Sequence, residues 1–244
     1  MTTLKVVTYN IHKGLSPFNR RVVMHDLREH LRELNADILF LQEVQGEHAH
    51  HSLRHADYPV APQHEYIAES VWAHHAYGMN AVYEAGHHGN AILSRFPIVQ
   101  SSNQNVSAHR FENRGLLHCK ILVGERHVHC LCAHFGLFAK GRRAQTRILI
   151  DYVLTNIPSG SHLVIAGDFN DWRNQLSASL ANELDVFDTS HLFHGKHARS
   201  FPAVLPLFKL DRIYVRGFEV IESKVHSSRR MSDHAALFAT LKPI

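Results

Sequence analysis

Apolar positions along this chain come in short runs that switch between strand spacing and helix spacing. Leu4 to Ile11 is the first such run, and Val6 and Val7 give it β-branched character. After a polar turn at Ser16 to Asn19, Val23, Leu27, Leu31 and Leu34 recur at helical intervals, with Arg28, Glu29, Arg32 and Glu33 on the opposite face. Asp37 to Val44 is nearly continuous in apolar residues, as expected for a strand buried on both sides. Strand, amphipathic helix and buried strand together open an α/β layered fold.

The same reading carries on to the C-terminus. Tyr66 to Val71 and Met79 to Tyr83 read as paired strands with polar, His-rich connections, and Asn90 to Ser94 as a strand stopped by Phe96-Pro97. Leu116 to Val123 and His127 to His134 flank Gly124-Glu125 as a β-hairpin. A helix is predicted from about Gly141 to Asn156, ending before Pro158, and a short one through Leu176, Leu180 and Leu184. Leu163 to Ala166, Leu210 to Val215, Phe218 to Val225 and Ala235 to Leu241 complete the strands. No linker or internal repeat divides the chain, so residues 1–244 read as one domain.

Composition alters this picture little. With 45% hydrophobic and 20% charged residues over 244 positions, the chain is an ordinary globular one. No stretch approaches the roughly 20 apolar residues of a membrane-spanning helix. The N-terminus lacks the marks of a signal peptide, and the expected location is the cytoplasm. Three cysteines without scaffold spacing agree with a reducing compartment. A formal charge of +4 leans toward anionic partners.

Twenty-three histidines, many between His48 and His88, invite a metal-storage reading, but they are scattered without ligand spacing and read as an exposed His-rich region. Cys130, Cys132 and His134 share one strand face. Side chains two apart on a strand run parallel, so buried cysteines filling space between sheets fit better than a zinc site.

Chemistry enters at the strand ends. Asn10 and His12 follow the first strand, Glu43 ends the second, and His134 closes the hairpin. Asp168 and Asn170 follow Leu163 to Ala166, Asp211 opens the next strand, and Asp233-His234 precede the last. Ends at one edge of a packed sheet converge, so these residues can share a cleft. Cleaving a phosphate ester requires neutralised phosphoryl oxygens and an activated water. Carboxylate and amide oxygens such as those of Glu43 and Asn10 suit a hard cation. A histidine steadied by a carboxylate, here His234 with Asp211, suits proton transfer near neutral pH.

Five motifs in order resemble the endonuclease/exonuclease/phosphatase superfamily: TYNIH (Thr8 to His12), LQEV (Leu41 to Val44), GNAILSR (Gly89 to Arg95), GDFN (Gly167 to Asn170) and SDH (Ser232 to His234). The resemblance implies a DNase-I-like, four-layer α/β/β/α sandwich of two packed mixed sheets flanked by helices. It implies Mg²⁺, with Mn²⁺ as a substitute, held by Asn10, Glu43 and Asp233. Asp168 would orient the attacking water or serve the leaving group, and Asn170 would hold a phosphoryl oxygen. His234, steadied by Asp211, would be the base or a phosphate contact, and His134 would face it across the phosphate. Asn90 would line the cleft.

Each residue alone has a plainer use: asparagines cap turns, and a strand-end carboxylate is commonly a surface one. The joint pattern outweighs those uses. His12 stands where some relatives carry a carboxylate, which leaves it a bystander or a contact.

Departures from the family pattern bear on the substrate. Relatives cutting DNA at abasic sites resemble a pattern with Asn at the position of His134 and Tyr at that of Leu131, so this chain lies nearer the other branches. Glu112 to Leu116 also resembles the bacterial metal-dependent hydrolase members. Basic residues at Arg229-Arg230 and at Lys140, Arg142 and Arg143 are expected on the cleft rim, where Arg142 and Arg230 would grip phosphates or form only a solvated loop.

The leading expectation is a phosphodiesterase or phosphatase acting on a small-molecule or lipid-head-group ester. A DNA or RNA nuclease with the same site, and a catalytically silent binding module of the same fold, stand as alternatives. Oligomeric state is not legible.

Overall fold

The computed structural model describes residues 3–19, 21–48, 59, 61–83, 86–108, 112–228 and 230–244. Two six-stranded mixed sheets pack face to face. The first has the order β11-β12-β1-β2-β4-β3, formed by β1 (Leu4–Asn10), β2 (Ile38–His48), β3 (His74–Tyr83), β4 (Gly86–Ser94), β11 (Phe218–His226) and β12 (Ala236–Pro243). The second has the order β5-β6-β7-β8-β10-β9, formed by β5 (Ile98–Asn105), β6 (Gly115–Val123), β7 (Arg126–His134), β8 (His162–Asp168), β9 (Phe187–Asp188) and β10 (Asp211–Arg216).

The core between the sheets holds Val6, Phe40, Ile92, Leu117, Val164 and Ala239, with Cys119, Cys130 and Cys132 buried and unpaired among them. The cysteines therefore fill space, as their alternation implied.

Helices cover both outer faces. α1 (Met24–Glu33) buries Met24, Leu27 and Leu31, one stripe of an amphipathic helix, against the first sheet. It ends where Asn35 turns left-handed (φ +50°), a conformation Asn tolerates, and the chain re-enters β2. α3 (Ala139–Asn156) sets Leu149, Ile150 and Val153 on the second sheet and stops ahead of Pro158. α4 (Ser177–Leu184) and α5 (Thr189–His194) follow. The result is the expected four-layer α/β/β/α sandwich. No helix among the described residues is long and apolar enough to cross a membrane.

One predicted element is corrected. Tyr66 to Val71 is not a strand: Gln63–Ala68 forms α2, and the chain then turns. Its buried residues, Gln63, His64, Ile67 and Ala68, follow helical spacing, but two of them are polar, which hid the period. β3 pairs with β4 instead. β5 was not legible, because the edge strand IVQSSNQN is almost wholly exposed and polar. Part of the His-rich stretch, and Arg229, lie outside the described residues.

Candidate active site

Topology gathers the strand ends. β1 runs parallel to β2, β7 runs parallel to β8, and β10 runs antiparallel to β8, so Asn10, Glu43, His134, Asp168 and Asp211 emerge at one edge. His134 and Asp211 are each in register with Asp168. Gly167 makes the β7–β8 approach feasible: at φ +151° an added Cβ would sit 1.9 Å from the carbonyl oxygen of Ala133. Glu43 (φ +55°) lies at a register shift between Leu41 and Val44, and the irregularity turns it out of the strand's alternation toward the cavity.

The loop before β12 is tied to β1. Ser232 Oγ donates to the carbonyl of Asn10 at 2.7 Å and accepts from the His234 amide at 3.1 Å. His234 Nδ1 lies 2.8 Å from Asp211 Oδ2, with its Nε2 3.7 Å from Asp168 Oδ2. His134 Nε2 approaches the same oxygen at 3.6 Å. Asn10 Nδ2 donates to Asp168 at 3.2 Å and to Glu43 at 3.4 Å, while its Oδ1 accepts from the His12 amide. His12 Nδ1 is 3.3 Å from Asp233 Oδ1, which makes it a partner of that carboxylate. Lys13 Nζ is 3.8 Å from Glu43 Oε2.

Burial and charge separate the two histidines. Burial opposes a charge on His234, but Asp211, Asp168 and Asp233 outweigh it and raise its pKa to about 10. His134 is pushed the other way, by burial and then by Arg114 and His234, well below the usual imidazole range. Burial raises Asp168 to about 6, with His234 pulling against it and Asp211 adding to it. One imidazolium, one neutral imidazole and a carboxylate with a raised pKa thus face each other across a few ångströms. Asp168, Asp211 and His234 also offer ligand atoms within 4.8 Å of one another.

These groups lie at or beneath a cavity of about 470 Å³. Glu43, His134, Asp168, Asn170, Asp233 and His234 supply its polar lining and Leu137, Trp172, Phe201, Phe208 and Leu210 its apolar wall, with the Phe201 ring 5.0 Å from that of His234. Asn170 (φ +50°) is held by its Nδ2 bond to the Phe135 carbonyl at 3.0 Å. Asp211 lies behind His234, fully buried.

The three residues expected to grip substrate are placed otherwise. Asn90 does not line the cavity: it is buried, and its Nδ2 joins the sheets through the carbonyls of Gly115 (2.9 Å) and Cys132 (3.2 Å). Arg142 is buried behind the wall, where it donates to the carbonyls of Gly136 and Leu137, with its guanidinium 4.9 Å from the Trp172 ring centre. The first turn of α3 packs there and points it inward. Arg230 is exposed and outside the lining.

Arg114, by contrast, does line the cavity. It lies in a segment singled out for its resemblance, with no feature marking its role. The apolar wall was missed because, in sequence, its residues look like core.

Residues 7–234 match the profile of the Endonuclease/Exonuclease/phosphatase family. The chain is 41% identical over 244 residues to the uncharacterized protein YbhP of Escherichia coli (strain K12), covering 98% of this chain and 96% of YbhP. Among solved structures, an endonuclease/exonuclease/phosphatase from Beutenbergia cavernae DSM 12333 superposes with a TM-score of 0.78 at 20% identity, over 100% of this chain and 72% of that one. D. rerio TDP2 complexed with a single strand DNA product gives 0.72 at 15% identity, over 99% of this chain and 100% of that one. At such identities the two structures speak for the fold alone.

Proposed function

This chain belongs to the endonuclease/exonuclease/phosphatase family, and we propose that it is a Mg²⁺-dependent phosphoesterase whose substrate carries an apolar or aromatic group beside the phosphate. The observation that carries this reading is the mixed lining of the cavity, where carboxylates and imidazoles stand beside Leu137, Trp172, Phe201, Phe208 and Leu210. Strands from both sheets supply it, so the reading takes residues 1–244 as one catalytic domain.

The donor set fits a hard cation. Glu43, Asp168 and Asp233 all line the cavity, and carboxylate oxygens gathered at one cavity suit such a cation. Glu43 and Asp233 would hold Mg²⁺ or Mn²⁺ with Asn10, whose amide already positions Glu43 and Asp168. The bound ion supplies charge neutralisation at the phosphoryl oxygens.

The other roles rest on this chain's own residues. Asp211 holds the His234 ring through Nδ1, which leaves Nε2 to donate to a phosphoryl oxygen. Neutral His134 and Asn170 contact the phosphate from the opposite side. Asp168 lies between the imidazoles, placed to orient the attacking water and take its proton. Arg114 adds a positive charge at the mouth. The wall excludes water from the ester group and selects an apolar alcohol.

A nuclease is the second reading, favoured by one observation: Trp172 and Phe208 are 42% and 47% exposed beside the polar side, where a base can stack. A panel of aryl and phospholipid-type phosphodiesters, phosphomonoesters, plasmid and single-stranded DNA, with Mg²⁺, Mn²⁺ or chelator, tests both. The expected result is chelator-sensitive turnover of apolar esters that falls ~10²–10⁴-fold in His234→Ala. DNA cleavage with inert small esters would select the nuclease. Metal binding without turnover on any substrate would leave a silent module.

A further inference from the structure

Sequence spacing gave no ligand set in the His-rich region, yet the fold makes one. α2 and β3 lie side by side on the first sheet, and their contact brings His64, Glu65 and His75 together. Each offers a ligand atom, and the three atoms lie within 4.8 Å of one another. We propose that His64, Glu65 and His75 form a second cation site, separate from the catalytic cavity, which takes a transition metal of the Zn²⁺ class and leaves its remaining positions to water.

The parts are unequally free, as such a site requires. His64 is the fixed ligand: it is 8% exposed, and its ring stacks on Tyr77 with centroids 4.8 Å apart and planes 8° apart. Tyr77 is in turn held by a hydroxyl contact to His87 Nδ1 at 3.0 Å. Such outer partners orient a ligating imidazole. Glu65 and His75 are exposed and can move. Ligand bonds of ~2.0–2.2 Å place neighbouring ligand atoms ~3–4 Å apart, so small rotations of these two side chains close the set. His64 Nε2 and Glu65 Oε1 are already 3.9 Å apart, and the His64 and His75 ring centroids 5.3 Å.

Donor chemistry sets the selectivity. Two imidazoles and one carboxylate suit Zn²⁺, Co²⁺, Ni²⁺ or Cu²⁺, whereas Mg²⁺ prefers an all-oxygen set. Because the ligands come from two elements, a bound ion would tie the six-residue helix α2 to β3 and raise thermal stability by mass action.

The test uses full-length untagged protein titrated with Co²⁺ by absorption spectroscopy, then with Zn²⁺ by displacement and thermal melting. One equivalent of Co²⁺ should bind, with affinity falling at least about tenfold in His75→Ala and weakening in Glu65→Gln. His74→Ala, one residue along β3, should bind as the wild type does. Zn²⁺ should raise the Tm of the wild type and of Asp168→Asn, but not that of His75→Ala. Undiminished Co²⁺ affinity in His75→Ala would overturn the site. So would an equivalent that disappears in Asp168→Asn and persists in His75→Ala, since the catalytic cluster would then be holding the ion.

Discussion

Two clusters of ionisable side chains among the described residues are built in opposite ways. In the cluster at the cavity, Asp168, Asp211 and His234 are all buried, and the carboxylates raise the pKa of the imidazole. In the α2–β3 cluster only His64 is buried, its ring is held neutral, and the other two members are exposed. The first is positioned by backbone: parallel and antiparallel register sets His134 and Asp211 beside Asp168, and Gly167 permits the close approach. The second is positioned by side chains, through one ring stack and two exposed arms. A site set by sheet register is preorganised before any ligand arrives, whereas a site with mobile ligands is completed by its ion.

Substitution at the two centres should break the symmetry most sharply. Asp168→Asn is expected to lower kcat by ~10²–10⁴-fold with the fold retained, and His75→Ala to leave turnover at the wild-type level. Steady-state kinetics on the best ester checks both, and equal losses would erase the distinction.

Acid provides the next test, using buried histidines that belong to neither centre. His118 Nε2 and His129 Nδ1 are 2.9 Å apart, and His118 Nδ1 is 3.0 Å from the Tyr152 hydroxyl. Burial first, and then neighbouring cations, lower both pKa values to about 4. An unfolded histidine takes its proton near 6.5, so between pH 6.5 and about 4 the unfolded state binds more protons than the folded one. Stability should therefore be undiminished above pH 6.5 and fall as pH drops toward 4. Melting curves over that range, compared with His118→Gln, should show a shallower fall in the variant.

Gly167→Ala should follow, destabilising by about 1–3 kcal/mol because its Cβ meets the Ala133 carbonyl at a strained φ. That corresponds to a Tm drop of several degrees in a chain of this size. An unchanged Tm would mean that β7 and β8 have slack, and that register does not position the catalytic cluster tightly. The smallest effect should come from metal-free His75→Ala, whose exposed side chain is expected to change stability by less than about 0.5 kcal/mol in denaturant unfolding.

The helical stripe Met24, Leu27 and Leu31, the buried β2 run and the hairpin at Gly124 were legible because their spacing is local and strongly periodic. α2 was misread because Gln63 and His64 occupy buried positions that polar residues seldom take. Among site residues, the strand-end polar groups were legible as a set. Asn90 and Arg142 were not legible as bridging and supporting groups, since a buried asparagine spanning two sheets looks in sequence like one facing a cleft.

The chain's own order of residues determined the layered class, the family, and which polar side chains end the strands, because these follow from short-range periodicity and contiguous motifs. Tertiary structure alone decided that the pKa of His234 is raised and that of His134 lowered, that Trp172 and Phe208 line the cavity rather than the core, and that His64 meets His75. Each of these depends on which groups lie within a few ångströms across the sheets and helices. Electrostatics and desolvation are set by distance in space, which separation along the chain does not encode.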